Sequence, residues 1–217
     1  MLYFSYNDFM DYTENGEINK IVNVEEKIEN YELKNVDQIT YNIKNKLIEI
    51  LKNKFDLRKF LKEFFNFSEI GDIENLVYYN NMKFIVDKEI NNSIVYKIKD
   101  KEIFIFIKVI EKIDVNISYK MFESSLNIIK KWNKEEKKEN KRYPIVVPIV
   151  IYIGREKWKK NNNVYNKINY IKYDSNRINF SYNMINVNEL SSNQLKKLKS
   201  NIAKEFISMK NKYLQIN

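Results

Sequence analysis

Cysteine and histidine are both missing from this chain of 217 residues. Without cysteine there is no disulfide framework and no thiolate metal site. Without histidine, Ser-His-Asp and Cys-His catalysis, imidazole ligation and histidine-based pH switching are all excluded. Any catalysis must use carboxylates, Lys, Tyr or a carboxylate-bound Mg²⁺ or Mn²⁺ ion. Long apolar runs are missing as well. The longest, Ile103 to Ile107 and Ile145 to Gly154, fall far short of the roughly 20 residues that a bilayer span needs. The start, Met1-Leu2-Tyr3-Phe4-Ser5-Tyr6-Asn7-Asp8, has neither a basic leader nor an apolar signal-peptide core. These absences predict a soluble cytoplasmic protein with no membrane partner. Alanine occurs once, at Ala203, in a sequence saturated with Asn, Lys, Ile and Tyr, as AT-rich codon usage would produce.

What is present describes a folded globule. Hydrophobic residues make up 44% and aromatics 14%, which outweighs a charged fraction of 31% as a folding signal. The length suits one ordinary domain with an added arm. A net charge of +9 suits a polyanionic partner, nucleic acid first. Codon bias accounts for the same surplus of lysine equally well.

Residues 1–38 are aromatic and acidic, with an Asn15-Gly16 turn signal, and read as an N-terminal arm or hairpin. An α/β core is expected over 39–187 and a C-terminal helical segment over 188–217. Helical spacing begins with Ile43, Leu47, Ile50 and Leu51 and resumes with Leu57, Phe60, Leu61 and Phe64; the break at Asn53 to Asp56 predicts two helices. An extended region from Leu76 to Val86 comes next. Lys99-Asp100-Lys101 joins two β-rich runs, Ser93 to Ile98 and Ile103 onward, as a hairpin. In the second run Ile103, Ile105, Ile107 and Val109 share one face; Phe104, Phe106, Lys108, Ile110 and Lys112 share the other.

A helix is expected over Tyr119 to Trp132, with Met121, Phe122, Leu126, Ile129 and Trp132 on its apolar side. A charged loop over Lys130 to Arg142 should come after it. Ile145 to Tyr152 is nearly all apolar and β-branched, the mark of a strand covered on both faces; Pro148 within it predicts a bulge or an interrupted ladder. Further strands are expected near Asn169 to Tyr173 and Met184 to Val187. Ser191-Ser192-Asn193-Gln194 reads as a capping box opening a final helix, whose stripe is Leu195, Leu198, Ile202, Phe206, Met209 and Tyr213.

Several spaced elements agree in order: Ile94-Val95-Tyr96, the strand from Ile103 to Val109, the block Pro148-Ile149-Val150-Ile151-Tyr152 with Gly154, and Trp158. That order resembles the recombination-promoting nuclease/putative transposase (Rpn) family of the PD-(D/E)XK nuclease superfamily over roughly residues 40–160. The resemblance implies a PD-(D/E)XK nuclease-like mixed β-sheet flanked by helices, DNA as partner, and Mg²⁺-dependent DNA cleavage that promotes recombination. In that family an aspartate on the first strand and a glutamate two residues before Gln or Lys on the second hold the metal. Residues two apart on a strand share a face, so such a carboxylate and lysine converge on one phosphate.

Here the family's acidic positions fall on Ser93 and Ile110, and only Lys112 matches. Glu111 is adjacent but on the opposite face unless a bulge turns it inward. Asp87, Glu89 and Asp114 are nearby carboxylates off the family spacing. The family's Asp-x-x-Met-Pro-Tyr-Arg stretch reads here as Asn116-Ile117-Ser118-Tyr119-Lys120-Met121-Phe122. The expected reading is a catalytically degenerate nuclease-fold protein that retains nucleic-acid binding, with no metal or cofactor held. Lys157, Lys159, Lys160, Lys141 and Arg142 are its candidate phosphate contacts, or else a solvated loop surface. The alternatives are an active Mg²⁺-dependent endonuclease using Glu111 and Lys112, and a non-enzymatic interaction module or mobile-element relic. Lys112 snorkelling at a strand end, and Trp132 and Trp158 as packing residues, are the structural readings of the same positions.

Overall fold

The computed structural model describes residues 38, 40–65, 73–79, 93–99, 101–135, 143–158 and 180–214. By its internal contacts the chain divides into two units, Met1–Ile39 and Thr40–Asn217, and the sheet with its helices belongs to the second. The expected N-terminal arm, the far part of the extended region and the strand expected at Asn169 to Tyr173 lie outside the described residues.

Two helices open the second unit. Helix α1 covers residues 40–52 and α2 covers Lys54–Phe64. The break expected between them is real: Asn53 caps α2 by accepting from the backbone N–H of Phe55 and Asp56. Five strands lie beyond them in one sheet: β1 (Leu76–Tyr78), β2 (Ser93–Ile98), β3 (Ile103–Ile110), β4 (Ile145–Tyr152) and β5 (Asn183–Asn186). Their spatial order is β1-β2-β3-β4-β5. The β1–β2 and β2–β3 pairs are antiparallel, whereas β3–β4 and β4–β5 are parallel. Helix α3 (Ile117–Glu135) makes the crossover from β3 to β4, as parallel neighbours require. This is a mixed, open α/β sheet flanked by helices, the architecture of a nuclease-like fold.

The hairpin and the face assignment along β3 hold. Phe104, Phe106 and Ile110 join Val95, Val150 and Tyr152 in a core closed by Ile117, Met121, Ile128 and Trp132 of α3. On the other face, Tyr96 donates its hydroxyl to the Lys52 carbonyl at the end of α1, 2.6 Å away. All eight residues of β3 are buried, as befits the central strand.

Several sequence expectations need correction. Pro148 causes no bulge, because β4 stays in unbroken register with β3 from Ile145 to Tyr152. The N–H groups of Ile145 and Ile153 point toward β3, donating to the Glu102 and Ile110 carbonyls. By alternation the missing N–H of Pro148 faces the β5 side, and β5 pairs no further back than Ile149. No bond is lost there.

Helix α3 also runs longer than expected, to Glu135, and buries a different stripe. Ser124, Ser125 and Ile128 are buried, while Leu126 is exposed. The small serines let the helix approach the sheet, and Ser125 satisfies its hydroxyl on the Met121 carbonyl at 2.7 Å. Lys131 belongs to the helix because its stem is buried and its ammonium lies 4.4 Å from the Tyr79 ring centroid and 3.5 Å from Glu135.

The final helix is two helices, α4 (Ser192–Lys196) and α5 (Asn201–Leu214). The capping box at Ser191 and Gln194 is present but opens only α4. A second cap at Ser200, whose hydroxyl accepts from Ala203 N–H at 3.2 Å, starts α5. The stripe of Ile202, Phe206, Met209 and Tyr213 is core, as expected. Among the described residues no helix is long and apolar enough to cross a membrane.

Candidate functional site

Where β3 ends, the chain turns through residues 111–116 into α3 and opens a cleft of about 260 Å³. Ile110 lines it from the end of β3, Glu111, Lys112 and Asp114 from the turn, Lys44 from α1 and Lys120 from α3. Gly154 fixes the position of the turn. A Cβ on it would stand 2.1 Å from the Glu111 carbonyl oxygen, so only glycine lets the two backbones approach. Ile153 N–H donates to the Ile110 carbonyl at 2.9 Å, and the Asn188 side-chain amide donates to the Gly154 carbonyl. Glu111 is thus held on a rigid seam between β3, β4 and the loop after β5.

The charges in the cleft come in pairs. Lys44 Nζ lies 2.9 Å from Glu111 Oε1, with side-chain exposures of 7% and 27%. Lys120 Nζ lies 3.0 Å from Asp114 Oδ2. Asp114 also starts α3, its Oδ1 accepting from Asn116 N–H at 2.8 Å and its carbonyl from Ile117 N–H at 3.1 Å. Glu111 Oε2 is buried and meets no hydrogen-bond partner among the described residues. Behind the pair, Tyr213 donates its hydroxyl to the Ile153 carbonyl at 2.9 Å and lies 3.1 Å from Thr40 Oγ1. Burial pushes the Tyr213 hydroxyl pKa upward, helped by the Glu111 charge, against lowering contributions from Thr40 and Arg155.

The residues that the sequence reading placed at metal-ligand positions come together differently. Ser93 stands opposite Lys108 in the β2–β3 register, on the α3 side of the sheet with Ile110. Its hydroxyl is buried and meets no hydrogen-bond partner among the described residues. Ile110 packs into the apolar core. Glu111 reaches Lys44 on α1 instead, and Lys112 is exposed at the cleft. Mg²⁺ takes near-octahedral oxygen coordination, commonly built on one or two carboxylates. Ile110 offers no donor, Ser93 offers a buried hydroxyl, and Glu111 and Asp114 each hold an ammonium group. No cluster of three or more acidic side chains suited to a metal occurs among the described residues. This donor set is a poor match for Mg²⁺.

Of the candidate phosphate contacts, Lys157 is exposed, while Lys141, Arg142, Lys159 and Lys160 lie outside the described residues, as do Asp87 and Glu89. Trp158 is a packing residue, its ring edge-on to Tyr152 with centroids 4.9 Å apart. Trp132 is buried in the α3 core. Sequence reasoning missed Lys44. The signal was there: Lys44 sits four residues after Thr40 and four before Ile48, on the buried face of α1 where an apolar residue is expected.

The model of the family described as "Putative transposase, YhgA-like" matches residues 45–211. No curated protein and no solved structure matches the chain. The matched span runs from α1, one residue past Lys44, to within α5, and takes in every strand of the sheet and the turn that carries Glu111. With a family model covering most of its length, the chain belongs to the family so described.

Proposed function

We propose that this chain is a nuclease-fold protein that binds nucleic acid and has lost the metal-dependent cleavage of its relatives. The family supports a nuclease- or transposase-related role, and the site argues for the narrower reading. The observation that carries it is the Lys44–Glu111 pair at 2.9 Å. An ammonium ion sits on the carboxylate nearest the family's glutamate position, and the aligned positions themselves hold Ser93 and Ile110. A cation already bound there opposes a second, divalent one. The remaining surface suits phosphate contacts, with Lys112, Lys120 and Lys157 as the described members.

The test is duplex DNA binding and cleavage measured side by side. Affinity should fall steeply with added salt, be equal in Mg²⁺ and EDTA at matched ionic strength, and be accompanied by no strand scission. A second reading, an active endonuclease, draws on Glu111, Lys112 and Asp114 sharing one cleft. Cleavage abolished both by EDTA and by Glu111→Gln would establish that reading and overturn ours. Absence of any nucleic-acid affinity at low salt would leave an interaction module or relic.

A further inference from the structure

Beside the cleft at the end of β3 stands an exposed aromatic ring for which a metal site would have no use. Tyr41 on α1 is 51% exposed, and its ring centroid lies 5.2 Å from Lys44 Nζ. Val115, 65% exposed, lines the cleft and adds an apolar side chain to it. An exposed ring beside a lysine of the cleft wall offers what an unpaired strand needs: a π-face for a base and ammonium groups for the adjoining phosphates. From these observations we infer that the cleft takes a nucleotide of an unpaired DNA strand, its base stacked on Tyr41 and its phosphate near Lys112 and Lys120.

Stacking on Tyr41 selects against a duplex, because a base paired and stacked within a helix has no free face to give the ring. The lysine–carboxylate pairs do not prevent this. The Lys44 ammonium has three donors, and Glu111 Oε1 accepts one of them. Its other role is to polarise the Tyr41 face: a cation within about 6 Å of a ring is held there electrostatically and keeps the ring in place. Tyr41 itself is half in solvent, so its removal leaves the core intact.

The inference rests on the nucleic-acid reading above, and the experiment separates the two. Fluorescence anisotropy would compare a labelled oligothymidylate with a blunt hairpin duplex, for the unaltered chain and for Tyr41→Ala, Tyr41→Phe and Lys112→Glu. The single strand should bind more tightly than the hairpin. Tyr41→Ala should weaken single-strand binding about tenfold, the loss typical of one stacked base, while Tyr41→Phe keeps it. Lys112→Glu should flatten the salt dependence. Thermal denaturation would show each variant folded. Equal affinity for both probes with no effect of Tyr41→Ala overturns this inference and leaves nucleic-acid binding standing. No affinity for either probe overturns both.

Discussion

Lys44 holds a helix position that the apolar pattern reserves for a hydrocarbon side chain, and that single placement dominates the site. A nearly buried ammonium is tolerated because its partner, Glu111, lies 2.9 Å away and the Tyr41 ring flanks it. Removing one member of such a pair costs more than the pair contributes, because the other charge is left poorly solvated. Lys44→Met should therefore destabilise the fold by about 1–3 kcal/mol, the range for an unsatisfied buried group, since Glu111 keeps some contact with water. The double variant Lys44→Met with Glu111→Gln should recover part of that loss. Urea denaturation of the two singles and the double checks this, and strict additivity would show that the pair is not coupled. At the residue scale, strand alternation set what was legible. The period of two separated Glu111 from Ile110, and Ile110 does lie in the α3-side core. The partner on α1 was not legible, because nothing local in the sequence says which strand end a helix lysine will meet.

Among the elements, the strands read more clearly than the helix ends. Ser93 to Ile98 and Ile103 to Ile110 form the expected hairpin because β-branched and aromatic runs leave little choice of state. The end of the chain misled because a strong local cap at Ser191 opens only five residues of helix, α4. The break is made by a residue far away in sequence. Glu63 of α2 accepts from the backbone N–H of Lys199 and Ser200, the latter at 3.0 Å, and so satisfies donors at the start of α5. Asp56 of the same helix accepts from the Asn201 side-chain amide at 2.8 Å. A carboxylate at a helix N-terminus is favoured by both hydrogen bonding and the helix dipole. Glu63→Ala should cost about 1–2 kcal/mol, comparable to the loss of a strong N-cap, without changing the slope of a urea transition. A change below a few tenths would mean that water replaces the carboxylate at no cost.

For the molecule as a whole, the sheet is covered on both faces, and a buried tyrosine on each donates its hydroxyl to a backbone carbonyl, at the end of α1 on one side and in the turn after β4 on the other. Tyr96 faces the α1 side and donates to the Lys52 carbonyl. Tyr152 lies in the α3-side core and donates to the Glu156 carbonyl at 3.0 Å. Burial pushes both hydroxyls up to about 12, with the neighbouring Tyr78 adding to the shift at Tyr96 and Glu156 adding to that at Tyr152. A raised folded-state value means that the fold holds the proton more tightly than the unfolded chain, where tyrosine titrates near 10. The stabilisation is whole below about pH 10 and is lost as the pH climbs toward about 12. Because the two groups sit on opposite faces, ionisation disturbs both sides of the sheet in the same window and unfolding should stay cooperative. The melting temperature should fall steeply across that window. Tyr96→Phe and Tyr152→Phe should each start lower, having lost a hydrogen bond, but should fall less steeply, with the double variant flattest. Parallel slopes in all four proteins would show that the alkaline transition has another origin. Two separate melting transitions would show that the sheet's faces come apart independently.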